Sequence, residues 1–210
     1  MEEALDNARE ELKRVDHLFY VSLKYTRTAD MMKHMVDRLI NVFSFGIESL
    51  LKYAKEKKKI NEIPSNPVMS SKLLTQTFTD EEVVSYTNLY LKLRKIMRAD
   101  YSKREEFRRH VTMTCTIDNQ VVEVNIDSLK EDYETAKNFV NYVERIIKEK
   151  EEDELIKLMS AFPETAGKAA DQLRPHLIAT YLYSLAHKFN EYYHIHQILK
   201  ADKKIKDARI

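Results

Sequence analysis

Apolar residues recur at three- and four-residue steps across residues 2–26, at Leu5, Ala8, Leu12, Val15 and Phe19, and the spacing predicts an amphipathic helix. From about Asp30 to Lys59 the pattern is apolar on nearly every side, at Met31, Met35, Leu39, Ile40, Val42, Phe43, Phe45, Ile47, Leu50 and Leu51. That predicts a central, buried helix, and its closing basic run, Lys55 to Lys59, suits the negative end of the helix dipole. Residues 64–67 (Pro-Ser-Asn-Pro) predict a loop, with one helical turn near Ser70–Leu74. Thr79 and Glu82 have the spacing of a capping box, opening a third helix to about Arg98 with Val83, Tyr86, Tyr90, Leu93 and Met97 inward.

The period then changes. His110–Thr116 and Gln120–Ile126 are rich in Val, Thr and Ile, and Asp118-Asn119 between them is turn chemistry, so a β-hairpin is expected over about 110–126. Ser128 and Glu131 read as a second capping box, for a helix to about Lys150. The acidic run Glu151–Glu154 reads as a boundary before a short helix that buries Leu155, Leu158 and Met159. Pro163 precedes a helix over Glu164–Leu173, and Pro175 opens a strongly aromatic helix to Leu199. On that last helix Tyr181, Leu182, Leu185, Phe189 and Tyr192 are expected to face the core, and Tyr183, Asn190, Tyr193 and His194 other directions. The expected fold class is an all-α helical bundle with one β-hairpin, in two parts, residues 1–130 and 131–210.

Composition narrows the function classes. In 210 residues there are two glycines, Gly46 and Gly167, so neither a phosphate-binding P-loop nor a dinucleotide fingerprint is present. The single cysteine, Cys115, rules out an internal disulfide, fits a reducing compartment, and is expected to be a small buried hydrophobe. No secretory signal and no membrane span are expected, which implies a cytoplasmic protein. Lys and Arg number 35 against 34 Asp and Glu, so overall charge selects no partner, but local charge does. Arg94 to Arg109 carries seven basic and three acidic residues, including Arg108 and Arg109, and would attract RNA phosphates or an acidic partner. Glu191 and His194 have the spacing of a bridged metal-ligand pair but lack the second copy such sites need, so no metal and no cofactor is expected. Met31, Met32 and Met35 read as core fillers, and Tyr20, Tyr25 and Arg27 as a helix end or a partner-facing patch.

From about residue 138 the chain resembles the DALR-type anticodon-binding domain of arginyl-tRNA synthetase. The resemblance is carried by Phe139–Val143 (Phe-Val-Asn-Tyr-Val), Glu154–Leu158, Phe162-Pro163-Glu164, Leu173–Leu177 (Leu-Arg-Pro-His-Leu), Ala179–Ala186 (Ala-Thr-Tyr-Leu-Tyr-Ser-Leu-Ala) and Phe189–Tyr193 (Phe-Asn-Glu-Tyr-Tyr). Asp207–Ile210 resembles the start of the family's last helix, most of which is missing, and no His-x-Gly-His synthetase signature is present. The resemblance therefore implies a module without the catalytic domain, binding tRNA or another structured RNA. It implies anticodon-loop contacts by Asn190 and Tyr193, supported by His194, with Lys200, Lys203, Lys204 and Lys206 meeting phosphates. If another chain supplies the missing helix, an apolar face would drive homodimerisation or recruit a protein partner.

The N-terminal part resembles the HEPN group of small helical proteins, many of them metal-independent ribonucleases, through Arg104–His110 (Arg-Glu-Glu-Phe-Arg-Arg-His). That resemblance implies His110 as acid or base at the ribose 2′-OH and Arg104 as the group stabilising phosphorane charge. Three functions follow as expectations: a non-catalytic, tRNA-associated RNA-binding module, a HEPN-like ribonuclease, or a protein-interaction adaptor.

Overall fold

The structure is a computed structural model that describes residues 1–195. Two compact units divide at Glu144/Arg145.

In the first unit, α1 (Glu2–His17) runs through a π-helical turn (Leu18–Ser22) into the short α2 (Leu23–Tyr25). The long α3 (Ala29–Glu56) follows, capped by the Thr28 hydroxyl, which accepts from the Met31 N–H at 3.3 Å. Its buried positions lie on several sides, Met32, Met35, Leu39, Phe43, Leu50 and Leu51 among them, so it is the core helix. Of the three methionines expected to fill the core, Met32 and Met35 are fully buried and Met31 is partly exposed. Helix α1 packs on α3 through Leu5, Ala8 and Val15, and also buries Glu11, which takes Arg14 at 2.5 Å and Arg38 of α3 at 3.1 Å. Its paired guanidinium groups satisfy the carboxylate, which a pattern of apolar positions does not reveal.

The single turn expected near Ser70 is a full helix, α4 (Pro67–Thr77), because Asn66 caps it and Pro67 suits its first turn. Helix α5 (Glu81–Arg98) starts at Asp80 rather than through the Thr79–Glu82 box. The Asp80 carboxylate accepts a hydrogen bond from the Tyr142 hydroxyl at 2.5 Å and makes no side-chain cap.

The hairpin has the expected turn. Strands β2 (Thr112–Ile117) and β3 (Gln120–Asn125) pair antiparallel with Ile117 opposite Gln120, so Asp118 and Asn119 form a two-residue loop. Their φ values of 51° and 62° are what a type I′ turn demands, and Asp and Asn tolerate them. A third strand, β1 (Tyr101–Arg104), pairs with β2 with Tyr101 opposite Cys115 and Arg104 opposite Thr112. Its Tyr-Ser-Lys-Arg sequence has no apolar alternation, so nothing in the pattern announces it. Cys115 is buried, and burial pushes its thiol above the ordinary value, the state of an inert small hydrophobe.

Helix α6 (Ile126–Ser160) begins two residues before Ser128. Asn125 is the cap: its Oδ1 accepts from the Ser128 N–H at 2.8 Å, and Ser128 Oγ accepts from the Asn125 N–H at 3.0 Å. The helix also continues through the acidic run expected to break it. Glu and Lys are good helix formers, and no glycine or proline interrupts residues 126–160. On α6 the ring of Phe139 stacks on Phe43 (centroids 5.2 Å) and meets Tyr86 (5.1 Å).

The second unit continues with α7 (Phe162–Asp171) and α8, described over His176–Ile195. Leu155 and Tyr192 form its small core, with Leu185 packed against them.

Two predictions follow from the first unit. A Cβ built on Gly46 would stand 2.3 Å from Phe139 Cε1. Alanine gains about 1 kcal/mol in helix propensity, but overpacking against a fixed ring costs about 1–3 kcal/mol. Gly46→Ala is thus expected to lower the urea midpoint, with a net loss of up to about 2 kcal/mol; a raised midpoint would contradict the packing. Burial pushes the Asp132 carboxyl up to about 6, with Lys92 opposing and Glu131 reinforcing the shift. A raised carboxyl is protonated in the folded state at pH values where the unfolded chain has lost its proton, so stability falls as pH rises from about 4 through 6. Asp132→Asn should remove that slope and stabilise the protein at pH 7 by about 2 kcal/mol, measured as denaturation midpoints across pH.

Candidate nucleic-acid interface

Helix α8 divides lengthwise. Tyr181, Leu185, Lys188 and Tyr192, at steps of four, three and four, turn inward, and the Tyr181 hydroxyl donates to the Leu158 carbonyl at 3.1 Å. The Phe162 ring lies 5.5 Å from that of Tyr181. Lys188 bridges Glu154 at 2.8 Å and Glu191 at 2.9 Å, and the imidazole of His187 lies 3.4 Å from Glu191. The Lys188 ammonium is shared by both carboxylates, which lowers the repulsion an anionic ligand would meet.

The opposite side shows Leu182, Tyr183, Ala186, Phe189, Asn190 and Tyr193. Leu182 and Phe189, expected in the core, are about half exposed. Leu155 and its neighbours receive only one stripe of α8, and the 100° step per residue carries both side chains past it. Tyr183 is 75% exposed and Tyr193 47%. Phe189 and Tyr193 stack with centroids 6.4 Å apart and planes 25° apart. Helical spacing puts Asn190 between Tyr183, seven residues before it, and Tyr193, three after it. A side-chain amide flanked by rings can hydrogen-bond a base edge while neighbouring bases stack.

Of the other residues expected to touch RNA, His194 lies near the end of α8. Its side chain, together with Lys200, Lys203, Lys204 and Lys206, lies outside the described residues. Arg108 and Arg109 are exposed in the turn between β1 and β2 and make no ion pair among the described residues. Arg104 lies on the solvent face of β1, 3.2 Å from Glu123 of β3, and His110 is exposed in that same turn. Both stand on a strand and its turn, not on the helix that carries the element in the HEPN group. Among the described residues no three His, Cys, Asp or Glu side chains gather as a metal site, and no helix is long and apolar enough to cross a membrane.

The joint leading into α8 is strained. Helix α7 ends in a paired-bond cap: the Arg174 N–H donates to the Ala169 carbonyl at 2.9 Å and the Leu173 N–H to the Ala170 carbonyl at 3.1 Å. The left-handed position in that motif normally holds glycine, but here Leu173 occupies it with φ 51° and an exposed side chain.

Residues 120–210 match the family model described as the DALR anticodon binding domain. The match begins at the start of β3 and takes in α6, α7 and α8. An arginine–tRNA ligase of Pyrococcus abyssi is 44% identical over 73 residues, which is 35% of this chain and 11% of that protein. One of Halothermothrix orenii is 45% identical over 56 residues (27% and 10%), and one of Ignicoccus hospitalis 55% identical over 47 residues (22% and 8%). The chain thus spans about a tenth of the length of these curated relatives. No solved structure matches it.

Leu173→Gly should relieve the left-handed strain and stabilise the second unit by about 0.5–1 kcal/mol. Hydrogen exchange of the α7 and α8 amides checks this, since faster exchange would mean the leucine side chain contributes more than its backbone costs.

Proposed function

We propose that this protein is a non-catalytic RNA-binding module that takes the anticodon loop of a tRNA on the exposed side of α8. The observation that carries the reading is Asn190, flanked by exposed Tyr183 and Tyr193, within residues that match an anticodon binding domain. Unpaired loop bases stack on the tyrosine rings, and the Asn190 amide reads one base edge. Lysines 200, 203, 204 and 206, with His194, supply phosphate contacts that add affinity without sequence preference.

A second reading, a protein-interaction adaptor or homodimer, draws on the apolar residues of the same side, Leu182, Ala186 and Phe189. The two readings want different partners for one surface, and RNA binding distinguishes them.

Total tRNA titrated against the purified protein should lose at least about tenfold in affinity between about 50 and 200 mM salt. Duplex DNA should compete less well than tRNA. Asn190→Ala and Tyr193→Ala should each weaken binding to a panel of anticodon stem-loops by about tenfold, with the salt slope unchanged. Absence of binding at the lowest salt, or wild-type affinity in both variants, would refute the anticodon reading and leave the adaptor.

A further inference from the structure

The turn between β1 and β2 displays an aromatic ring on a strained backbone. Phe107 has a φ of 65°, Glu105 just before it has 54°, and the Phe107 side chain is 74% exposed. A bulky residue in the left-handed region costs energy, and here the ring gains little burial in return. Neighbouring chain holds the turn in this shape. The Phe107 N–H donates to the Arg27 carbonyl at 2.6 Å, and the Glu106 carboxylate accepts from the Ala29 N–H at 3.3 Å. Lys103 pairs with Asp30 at 2.6 Å, and the Tyr101 hydroxyl donates to the same carboxylate at 2.5 Å. The turn is therefore seated on the joint between α2 and α3.

That joint carries rings and cations of its own. Tyr25, the last residue of α2, is 78% exposed, with the Lys24 ammonium 6.0 Å from its ring centroid. Tyr20 is exposed in the preceding π-helical turn. Lys24, Arg27, Arg108 and Arg109 make no ion pair among the described residues. The acids close by are already engaged: Asp30 by Lys103 and Tyr101, and Glu106 by Lys103 at 3.6 Å and the Ala29 N–H. Glu105 is the remaining acid of the turn. The balance favours an anionic ligand, and the displayed rings favour one with flat apolar faces.

A single nucleic-acid strand has both properties. Its bases stack on aromatic rings whatever their identity, and its phosphates meet the cations, whereas a duplex keeps its bases stacked on one another. We propose that Phe107, Tyr25, Arg27, Arg108 and Arg109 form a second nucleic-acid surface, on the first unit, that holds a short unpaired RNA segment without sequence preference. The choice of RNA rests on the anticodon-binding reading, while stacking and charge rest on this surface alone.

The test is fluorescence anisotropy of a labelled 12-nucleotide oligoadenylate with the full chain, at about 50 to 200 mM salt. Phe107→Ala and Tyr25→Ala should each weaken binding about tenfold with the salt slope unchanged, as loss of one stacked base requires. The double variant R108Q/R109Q, which leaves both rings in place, should lower the salt slope by about 1.4. Wild-type affinity in both ring variants, no binding of the oligomer at the lowest salt, or equal competition by polyglutamate would overturn the proposal, the last by showing recognition of charge alone. Failure here is read from oligoadenylate and the ring variants of the first unit. Failure of the anticodon reading is read from stem-loops and the α8 variants, so each can fall without the other.

Discussion

The first unit is organised by one close approach. Gly46, on a helix otherwise covered in large apolar side chains, leaves room for the ring of Phe139 to lie against the α3 backbone. Phe43, Tyr86 and Phe139 then form an aromatic cluster that joins α3, α5 and α6. Any side chain at position 46 would push that ring outward and open the gap a well-packed core does not tolerate. The Tyr142 hydroxyl, one turn along α6, ties the same helix to Asp80 at the start of α5. Position and angle of α6 in this unit follow from these contacts and not from its own amphipathicity.

Polar groups set details the apolar pattern leaves open. Glu11 is buried on α1 only because Arg14 and Arg38 hold its carboxylate. The Asp30 carboxylate, its pKa lowered by hydrogen bonds from Lys103 and Tyr101, fastens β1 to the start of α3. It thereby supports the turn that carries Phe107. In the second unit Lys188 performs a related task, drawing Glu154 and Glu191 together beside the buried side of α8. The surfaces offered to a ligand are in each case the ones these internal pairs leave uncovered.

Much of this was legible along the chain. The periods of α1, α3 and α5, and the Asp118-Asn119 turn with its flanking strands, all appear as expected, because helix period and turn dihedrals are local properties. Other features were not. Strand β1 is Tyr-Ser-Lys-Arg and forms because β2 offers it an edge, not because its residues prefer the strand. Helix α6 continues past Lys150 because Glu and Lys favour the helix and no glycine or proline breaks it. The cap of α6 is Asn125, exchanging hydrogen bonds with Ser128, where spacing alone pointed to Ser128 and Glu131.

The candidate site divides the same way. Residue types and their order along α8 marked Asn190 and Tyr193 and carried the resemblance to an anticodon-binding domain. They did so because that order is a property of the chain. Which side of α8 is exposed was decided only by the tertiary structure. A helix with aromatic and aliphatic residues nearly all round has several faces able to pack, and Leu155, Leu158 and Phe162 accept just the one bearing Tyr181, Leu185 and Tyr192. That choice moved Leu182 and Phe189 outward beside Tyr193. The surface around Phe107 depended on tertiary structure altogether, since the hydrogen bond joining Phe107 to Arg27 spans eighty residues of sequence.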